Sequence, residues 1–196
     1  MICEDLLKFY KDNKTIIFDL DNTLYAEDEY LFGAYKKIAY TQQNYDNLLI
    51  YKFLYEEYKK NGRSRLLDKL KKNFPKLDLS LNEMLDLIHN YDGSYIKLEL
   101  KKWFLDFLNS VNSDFVIRII TNGNIIQQKN KINLLNIENL GFETDTVYAN
   151  KYGGKPNKEP YNALVGSKLF YSPVYIGDNE IDELFSRNLG IDFYHV

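Results

Sequence analysis

Thr15-Ile16-Ile17-Phe18-Asp19-Leu20-Asp21-Asn22-Thr23-Leu24-Tyr25 is the stretch that decides how the rest of the chain is interpreted. Its β-branched and aromatic residues form a short apolar run typical of a buried strand, which we place at Thr15–Leu20. Asp19 and Asp21 follow where open α/β sheets bind their ligands, and crowded carboxylates there favour a divalent metal with oxygen ligands. The alternative is a strand followed by an Asp-rich turn, because Asp and Asn are common turn residues.

The composition is typical of a folded, soluble protein. The chain has 196 residues, 45% hydrophobic and 27% charged, which suits one domain or one domain with an insertion. Its net charge of −3 gives no reason to expect binding to nucleic acid or to an acidic membrane. Cys3 is the single cysteine, and the sequence contains neither a signal-peptide pattern nor a membrane-spanning run. We therefore expect a cytoplasmic protein, a monomer or small homo-oligomer, that binds neither nucleic acid nor membranes.

Residues 26–91 differ in character from the stretch that precedes them. They carry four sets of apolar residues at helical spacing, and Ser80 with Glu83 fits a capping box at the start of the fourth. No strand-like alternation interrupts these patterns. We therefore predict an all-helical domain at 26–91, inserted into a catalytic core formed by residues 1–25 and 92–196.

Beyond the insertion, helices and strands are predicted to alternate. A helix at Tyr95–Ser110 precedes strands at Phe115–Ile120, Thr146–Ala149, Val174–Ile176 and Ile191–Tyr194, with helices between them. Such alternation predicts right-handed crossovers between parallel strands, with helices on both faces of the sheet. The expected fold class is α/β, a Rossmann-like parallel sheet with an inserted all-helical domain.

Polar residues follow four of the predicted strands or lie in the loops beyond them. They are Asp19, Asp21, Thr121, Asn122, Lys155, Asp178 and Asp182. Because the carboxyl ends of parallel strands meet at one edge of a sheet, these side chains are expected to converge. Clustered carboxylates with a lysine and a hydroxyl suit a phosphate group and a divalent metal.

The chain resembles the hydrolases of the haloacid dehalogenase (HAD) superfamily, because all four of their motifs occur in order. Asp19-Leu20-Asp21-Asn22-Thr23 matches the first motif, Asp-x-Asp-x-Thr, and Thr121 matches the second. Lys155, before a proline and a helix, matches the third, and Gly177-Asp178-Asn179-Glu180-Ile181-Asp182 matches the fourth, Gly-Asp-x-x-x-Asp. Lys158 is the rival for the third position, but it fits a solvated lysine at a helix start, and we prefer Lys155.

The resemblance implies a mechanism and a metal. Asp19 would be the nucleophile that forms an aspartyl-phosphate. Asp21 would protonate the leaving alkoxide and then activate water as a base. Mg²⁺ would be held by Asp19, the backbone carbonyl of Asp21, and Asp178. The insertion at 26–91 resembles the small helical (C1-type) cap of the superfamily's phosphatases.

The resemblance also implies a binding site for the transferring phosphoryl group. Thr121 and Lys155 would hold that group, with the backbone of Asn122 joining them. Asp182 would orient Lys155 or the waters on the metal rather than bind the metal directly.

Asp21 points to phosphate esters as the substrate class. The superfamily's carbon–halogen hydrolases lack an acid two residues after the nucleophile, because a halide leaving group needs no proton. The resemblance thus implies a Mg²⁺-dependent phosphatase acting on a small phosphorylated metabolite, a sugar, polyol, amino-alcohol or nucleoside monophosphate. A phosphomutase of the same superfamily and a non-catalytic binding protein on this fold are the alternatives.

Glu27-Asp28-Glu29 lies just after the first motif and allows two interpretations. One of these acids would pair with the amine of a cationic substrate, or the run simply favours a helix N-terminus through the helix dipole.

Overall fold

A single sheet of five parallel strands organises the computed structural model, which describes residues 2–196. In chain order the strands are β1 (Ile16–Phe18), β2 (Val116–Thr121), β3 (Glu143–Tyr148), β4 (Val174–Gly177) and β5 (Asp192–His195). Their order across the sheet is β3-β2-β1-β4-β5, so β1 is central. After β1 the chain builds outward through β2 and β3 and then returns to β4 on the other side of β1.

Within residues 2–196 nine α-helices accompany these strands. They are α1 (Ile2–Lys11), α2 (Glu27–Thr41), α3 (Asn47–Asn61), α4 (Leu66–Asn73), α5 (Leu81–His89), α6 (Lys102–Leu108), α7 (Ile125–Leu134), α8 (Glu159–Val165) and α9 (Glu180–Leu189). No helix in this range combines the length and the apolar character needed to cross a membrane. The predicted α/β class, with a parallel sheet and an inserted helical segment, is confirmed.

The chain divides into two compact units. The sheet unit consists of the residues up to Glu27 together with Glu99–Val196, and the helical unit is Asp28–Leu98. The helical unit contains α3, α4, α5 and nearly all of α2. Its α5 begins with the predicted capping box, because the Ser80 hydroxyl accepts from the Glu83 amide while the Glu83 carboxylate accepts from the Ser80 amide.

The predicted helix at Tyr95–Ser110 is wrong over its first half. Helix α6 covers only Lys102–Leu108, because the backbone before it is committed to other partners. Leu100 forms an antiparallel bridge with Tyr25, and the Lys101 amide donates to the Leu24 carbonyl at 2.7 Å. These contacts replace the hydrogen bonds that a longer helix would need.

Strand β1 is buried on both faces of the sheet. Ile17 belongs to an apolar cluster with Leu164 of α8 and Phe185 of α9. Phe18 points to the opposite face, where its ring lies 5.3 Å from that of Phe104 in α6. Helices therefore cover both faces, and the carboxyl end of β1 lies at the centre of the sheet.

Candidate active site

The carboxyl ends of β1 and β4 position the first pair of acids. Asp19 is the first residue beyond β1, and its amide donates to the Ile176 carbonyl of β4 at 2.8 Å. Asp178 is the first residue beyond β4. These two neighbouring strands flank the point where the strand order reverses, which is where open α/β sheets form their binding crevice.

A buried lysine connects the predicted nucleophile to the fourth motif. The ammonium of Lys155 donates to Asp19 Oδ1 at 2.6 Å, to Asp182 Oδ1 at 2.5 Å and to Tyr175 Oη at 2.9 Å. Tyr175 in turn donates to the Ile120 carbonyl at 2.7 Å. We call Lys155, Asp19, Asp182 and Tyr175 the Lys155 cluster.

Burial and neighbouring charges shift the pKa values in the Lys155 cluster. It raises the pKa of Asp19 to about 7, and the charge of Lys155 opposes this rise only in part. Burial alone would lower the pKa of Lys155, but the charges of Asp19 and Asp182 outweigh it and raise that pKa well above its ordinary value. A carboxylate nucleophile must be ionised. Because the pKa of Asp19 stays raised in spite of Lys155, a further positive charge beside Asp19 would favour its ionised form.

Three acids at this edge fit a divalent metal. One carboxylate oxygen from each of Asp19, Asp178 and Asp182 lies within 4.8 Å of the others. Asp182 Oδ2 is buried and has no hydrogen-bond partner among residues 2–196. A set made only of oxygen donors is what Mg²⁺ prefers. Gly177 permits this packing, because a β-carbon there would lie 2.6 Å from Asp182 Oδ2.

The end of β2 supports Lys155 from its backbone side. Asn122 Oδ1 accepts from the Lys155 amide at 2.8 Å, and Asn122 Nδ2 donates to the Lys155 carbonyl at 3.1 Å. Thr121, the last residue of β2, is buried beside it. Lys158 is exposed at the start of α8, so the geometry favours Lys155 over its rival.

Asp21 lies in a second cluster, around a different buried lysine. Lys131 Nζ is 2.8 Å from both carboxylate oxygens of Asp21 and 3.1 Å from Glu27 Oε1. Tyr25 Oη donates to Asp21 Oδ1 at 2.6 Å, and Gln128 Nε2 donates to Asp21 Oδ2 at 2.9 Å. We call Lys131, Asp21, Glu27, Gln128 and Tyr25 the Lys131 cluster.

The acid run after the first motif has structural partners. The Glu27 carboxylate contacts Lys131, as above. Asp28 accepts from Tyr58 Oη at 2.7 Å and from Lys59 Nζ at 2.5 Å. Two of the three acids thus already have cationic partners, which favours a structural role for the run over pairing with a substrate amine.

The sequence interpretation missed Lys131, Gln128 and Tyr175. Gln128 and Lys131 are three positions apart on α7 and so lie on one helix face, which is the signal that was available. They are buried, although polar residues at helical spacing normally indicate a solvent-exposed face. Tyr175 in the buried strand β4 was indistinguishable from a core residue.

Lys101 is a further cation at the first motif. Its ammonium donates to the backbone carbonyl of Asn22, and burial lowers its pKa although the charge of Asp178 opposes that change. Asn22 has a left-handed backbone with φ of 58°, and its side-chain oxygen accepts from the Glu27 amide at 3.0 Å.

Comparison with known sequences gives a family match over nearly the whole chain. The sequence family described as haloacid dehalogenase-like hydrolase matches residues 16–196. No curated protein gives a significant sequence match.

Solved structures of this superfamily share the fold. A HAD-superfamily hydrolase, subfamily IA, variant 1, from Geobacter sulfurreducens superposes with a TM-score of 0.65 at 16% identity, covering 93% of this chain and 86% of that chain. A putative beta-phosphoglucomutase from Thermotoga maritima gives 0.63 at 19% identity, with 93% and 84% covered. A putative HAD-hydrolase from Bacillus subtilis bound to magnesium gives 0.62 at 16% identity, with 92% and 85% covered.

Proposed function

Because the chain belongs to the haloacid dehalogenase-like hydrolases, we propose that it is a Mg²⁺-dependent phosphatase of a small phosphomonoester. The observation that carries the proposal is the buried Asp19 carboxylate, which lies 2.6 Å from Lys155 and within 4.8 Å of carboxylate oxygens of Asp178 and Asp182. A second acid, Asp21, follows two residues later and completes the chemistry that an ester requires.

The first half-reaction is transfer of the phosphoryl group to Asp19. A carboxylate oxygen of Asp19 bonds to phosphorus while the bond to the ester oxygen breaks, and Asp21 gives its proton to that leaving oxygen. Thr121 at the end of β2 and Lys155 in the loop before α8 hold the phosphoryl oxygens. Asp19, the Asp21 carbonyl and Asp178 would hold Mg²⁺, which would supply positive charge against the carboxylate and the phosphate.

The second half-reaction releases phosphate. Asp21, now ionised, takes a proton from water, whose oxygen attacks phosphorus and displaces the Asp19 carboxylate. Inorganic phosphate leaves, and Asp21 is again protonated for the next ester. Asp182 holds Lys155 in place throughout, which is consistent with its contact of 2.5 Å to that ammonium.

Asp21 supports an ester rather than a halide as the substrate. An alkoxide is a poor leaving group and needs a proton, whereas a halide departs as a stable anion. Since Glu27 and Asp28 are occupied by Lys131 and by Lys59, we expect no special preference for amino-alcohol phosphates from these two acids.

A phosphate-release screen tests the proposal. Native protein and Asp19→Asn would be assayed with Mg²⁺ against sugar, polyol, amino-alcohol and nucleoside monophosphates. We expect net phosphate release by the native protein only. Turnover that depends on an added sugar bisphosphate and releases little phosphate would instead identify a phosphomutase. No turnover of any ester would favour a non-catalytic binding protein.

A further inference from the structure

Lys131 carries a buried ammonium group that contacts the proposed general acid, Asp21. It is 1% exposed and contacts two carboxylates, those of Asp21 and Glu27. Burying a charged lysine is costly unless its partners are close and well oriented. The distances of 2.8 Å to Asp21 and 3.1 Å to Glu27 meet that condition.

The contacts on Asp21 determine how its carboxylate is oriented. Oδ1 accepts from Tyr25 and Lys131, and Oδ2 accepts from Gln128 and Lys131. These four hydrogen bonds fix the orientation of the carboxylate plane. Gln128 is itself anchored, because its Nε2 also donates to the Asn122 carbonyl at 2.6 Å. The Asp21 carboxylate is therefore held by two side chains of α7 together with Tyr25.

Glu27 gives Lys131 a second carboxylate partner. Asp21 must direct a carboxyl oxygen at the leaving group and later at water, and each engagement competes with the contacts described above. The contact of 3.1 Å to Glu27 keeps a carboxylate beside the buried ammonium when the contact to Asp21 weakens, which lowers the cost of burying that charge. Lys131 therefore keeps a carboxylate partner while Asp21 transfers its proton.

We propose that Lys131 and Glu27 form a positioning pair for Asp21: Lys131 orients the carboxyl, and Glu27 stabilises Lys131 when Asp21 engages the leaving group. Neither Lys131 nor Glu27 is among the residues proposed to hold the phosphoryl group or to coordinate the metal. This inference rests on the proposed function, because it assigns the pair to proton transfer at the leaving oxygen.

The test compares two esters that differ in their need for a proton. One is the alkyl phosphomonoester that the native protein hydrolyses best, and the other is 4-nitrophenyl phosphate, whose leaving group departs as a stabilised anion. We compare kcat/KM, which reports the steps through formation of the aspartyl-phosphate. We expect Lys131→Met to lower kcat/KM for the alkyl ester about 100-fold, the lower end of a general-acid contribution, with a much smaller loss for the aryl ester.

Three further variants complete the design. Glu27→Gln keeps the size of the side chain and removes its charge, and we expect it to shift the alkyl-to-aryl ratio in the same direction as Lys131→Met. It decides the matter if Lys131→Met does not fold. Lys131→Arg retains the cation and should move the ratio back toward the native value. Lys129→Met, at an exposed lysine on the same helix, should leave both esters unchanged.

The possible failures are distinguishable. Equal losses on both esters in folded Lys131→Met and Glu27→Gln, or no loss on either, would overturn the positioning role while the phosphatase function stands. No turnover of either ester by the native protein would overturn the proposed function and the positioning role with it.

Discussion

The two lysine clusters of the sheet unit make the most informative comparison in this protein. Lys155 and Lys131 are both buried, and each contacts two carboxylates at 2.5–3.1 Å. Around Lys155, the ammonium contacts a single oxygen of each acid, and Asp182 Oδ2 has no hydrogen-bond partner among the described residues. Around Lys131, both oxygens of Asp21 receive two donors each.

This difference matches two different tasks. A nucleophilic carboxylate must keep lone pairs available for phosphorus and for a metal. The lysine beside it binds only one of its oxygens, which leaves the other oxygen available. A carboxyl group that transfers a proton must be oriented toward the leaving oxygen, and the hydrogen bonds to Asp21 fix its orientation. Under the proposed function, the same charge pattern of one lysine between two acids would serve attack in one place and proton transfer in the other.

The largest effect is expected where the covalent bond forms. Asp19→Asn should lower phosphate release at least about 10⁴-fold, because an amide cannot attack phosphorus as a carboxylate does. The measurement is phosphate release with Mg²⁺ on the best ester of the screen. Trapping of a phosphoenzyme from the native protein but not from the variant would locate the bond on Asp19. Residual activity near the native level would contradict this role.

Replacing the two lysines in parallel separates the clusters. Lys155→Met should lower kcat/KM about 10²–10³-fold on alkyl and aryl esters alike, because Lys155 stabilises charge on the phosphoryl group in both reactions. Lys131→Met should be selective for the alkyl ester, as described above. Lys158→Met, at the exposed start of α8, is the matched control and should retain activity. A selective loss in Lys155→Met would erase the distinction between the clusters.

The Lys155 cluster should couple stability to pH and to Mg²⁺. The pKa of Asp19 rises from an ordinary 3.8 to about 7 on folding, so between these pH values the folded protein without metal binds a proton that the unfolded chain does not. The free energy of unfolding should therefore fall as pH rises through this window. Because Mg²⁺ binds the ionised carboxylate, its stabilising effect should grow over the same window.

Thermal unfolding measures this coupling. With Mg²⁺ at about 100 times its Kd, the stabilisation of ~2.7 kcal/mol corresponds to a rise in Tm of roughly 5–10 °C. We expect this rise at about pH 8 and a smaller one at about pH 5. Asp19→Asn should show little dependence of the Mg²⁺ effect on pH. An equal rise in Tm at both pH values for the native protein would contradict the expectation.

The smallest effects are expected from the single tyrosine hydroxyl in each cluster. Tyr175→Phe removes a hydrogen bond of 2.9 Å to Lys155, and Tyr25→Phe removes one of 2.6 Å to Asp21. Each contact involves a charged group and is worth about 1.5 kcal/mol, or roughly a ten-fold loss in kcat/KM. Tyr175→Phe should affect both esters equally and Tyr25→Phe mainly the alkyl ester. The opposite pattern would reverse the assignment of the two clusters.

The fold was predictable from sequence wherever a regular pattern had a local cause. Apolar runs bounded by polar residues located the strands, and Ser80 with Glu83 located the start of α5. The helix predicted to start at Tyr95 starts later, although the apolar residues do recur at helical spacing. The backbone before it pairs instead with the stretch that ends at Tyr25. Helical spacing reports which face of a segment is apolar, and it carries no information on competing backbone partners.

One part of the candidate site was predictable from the sequence and the other was not. Strand ends in a parallel sheet share one edge, so the order of elements was enough to gather the motif residues there, among them Asp19, Lys155 and Asp182. The partners of Asp21 were not accessible in this way. Lys131 is 110 positions from Asp21 and 104 from Glu27, and it lies on a helix face whose polar residues read as solvent-exposed.

The sequence by itself determined the α/β architecture, the helical insertion and the set of acids at the sheet edge, because each depends on local periodicity and on the geometry of parallel strands. Only the tertiary structure decided which cation serves which acid. Ion pairs form wherever packing brings a buried lysine within reach of a carboxylate, and that distance depends on how whole helices lie against the sheet. Asp19 and Asp21 are two residues apart in the chain, yet they are bound by different lysines.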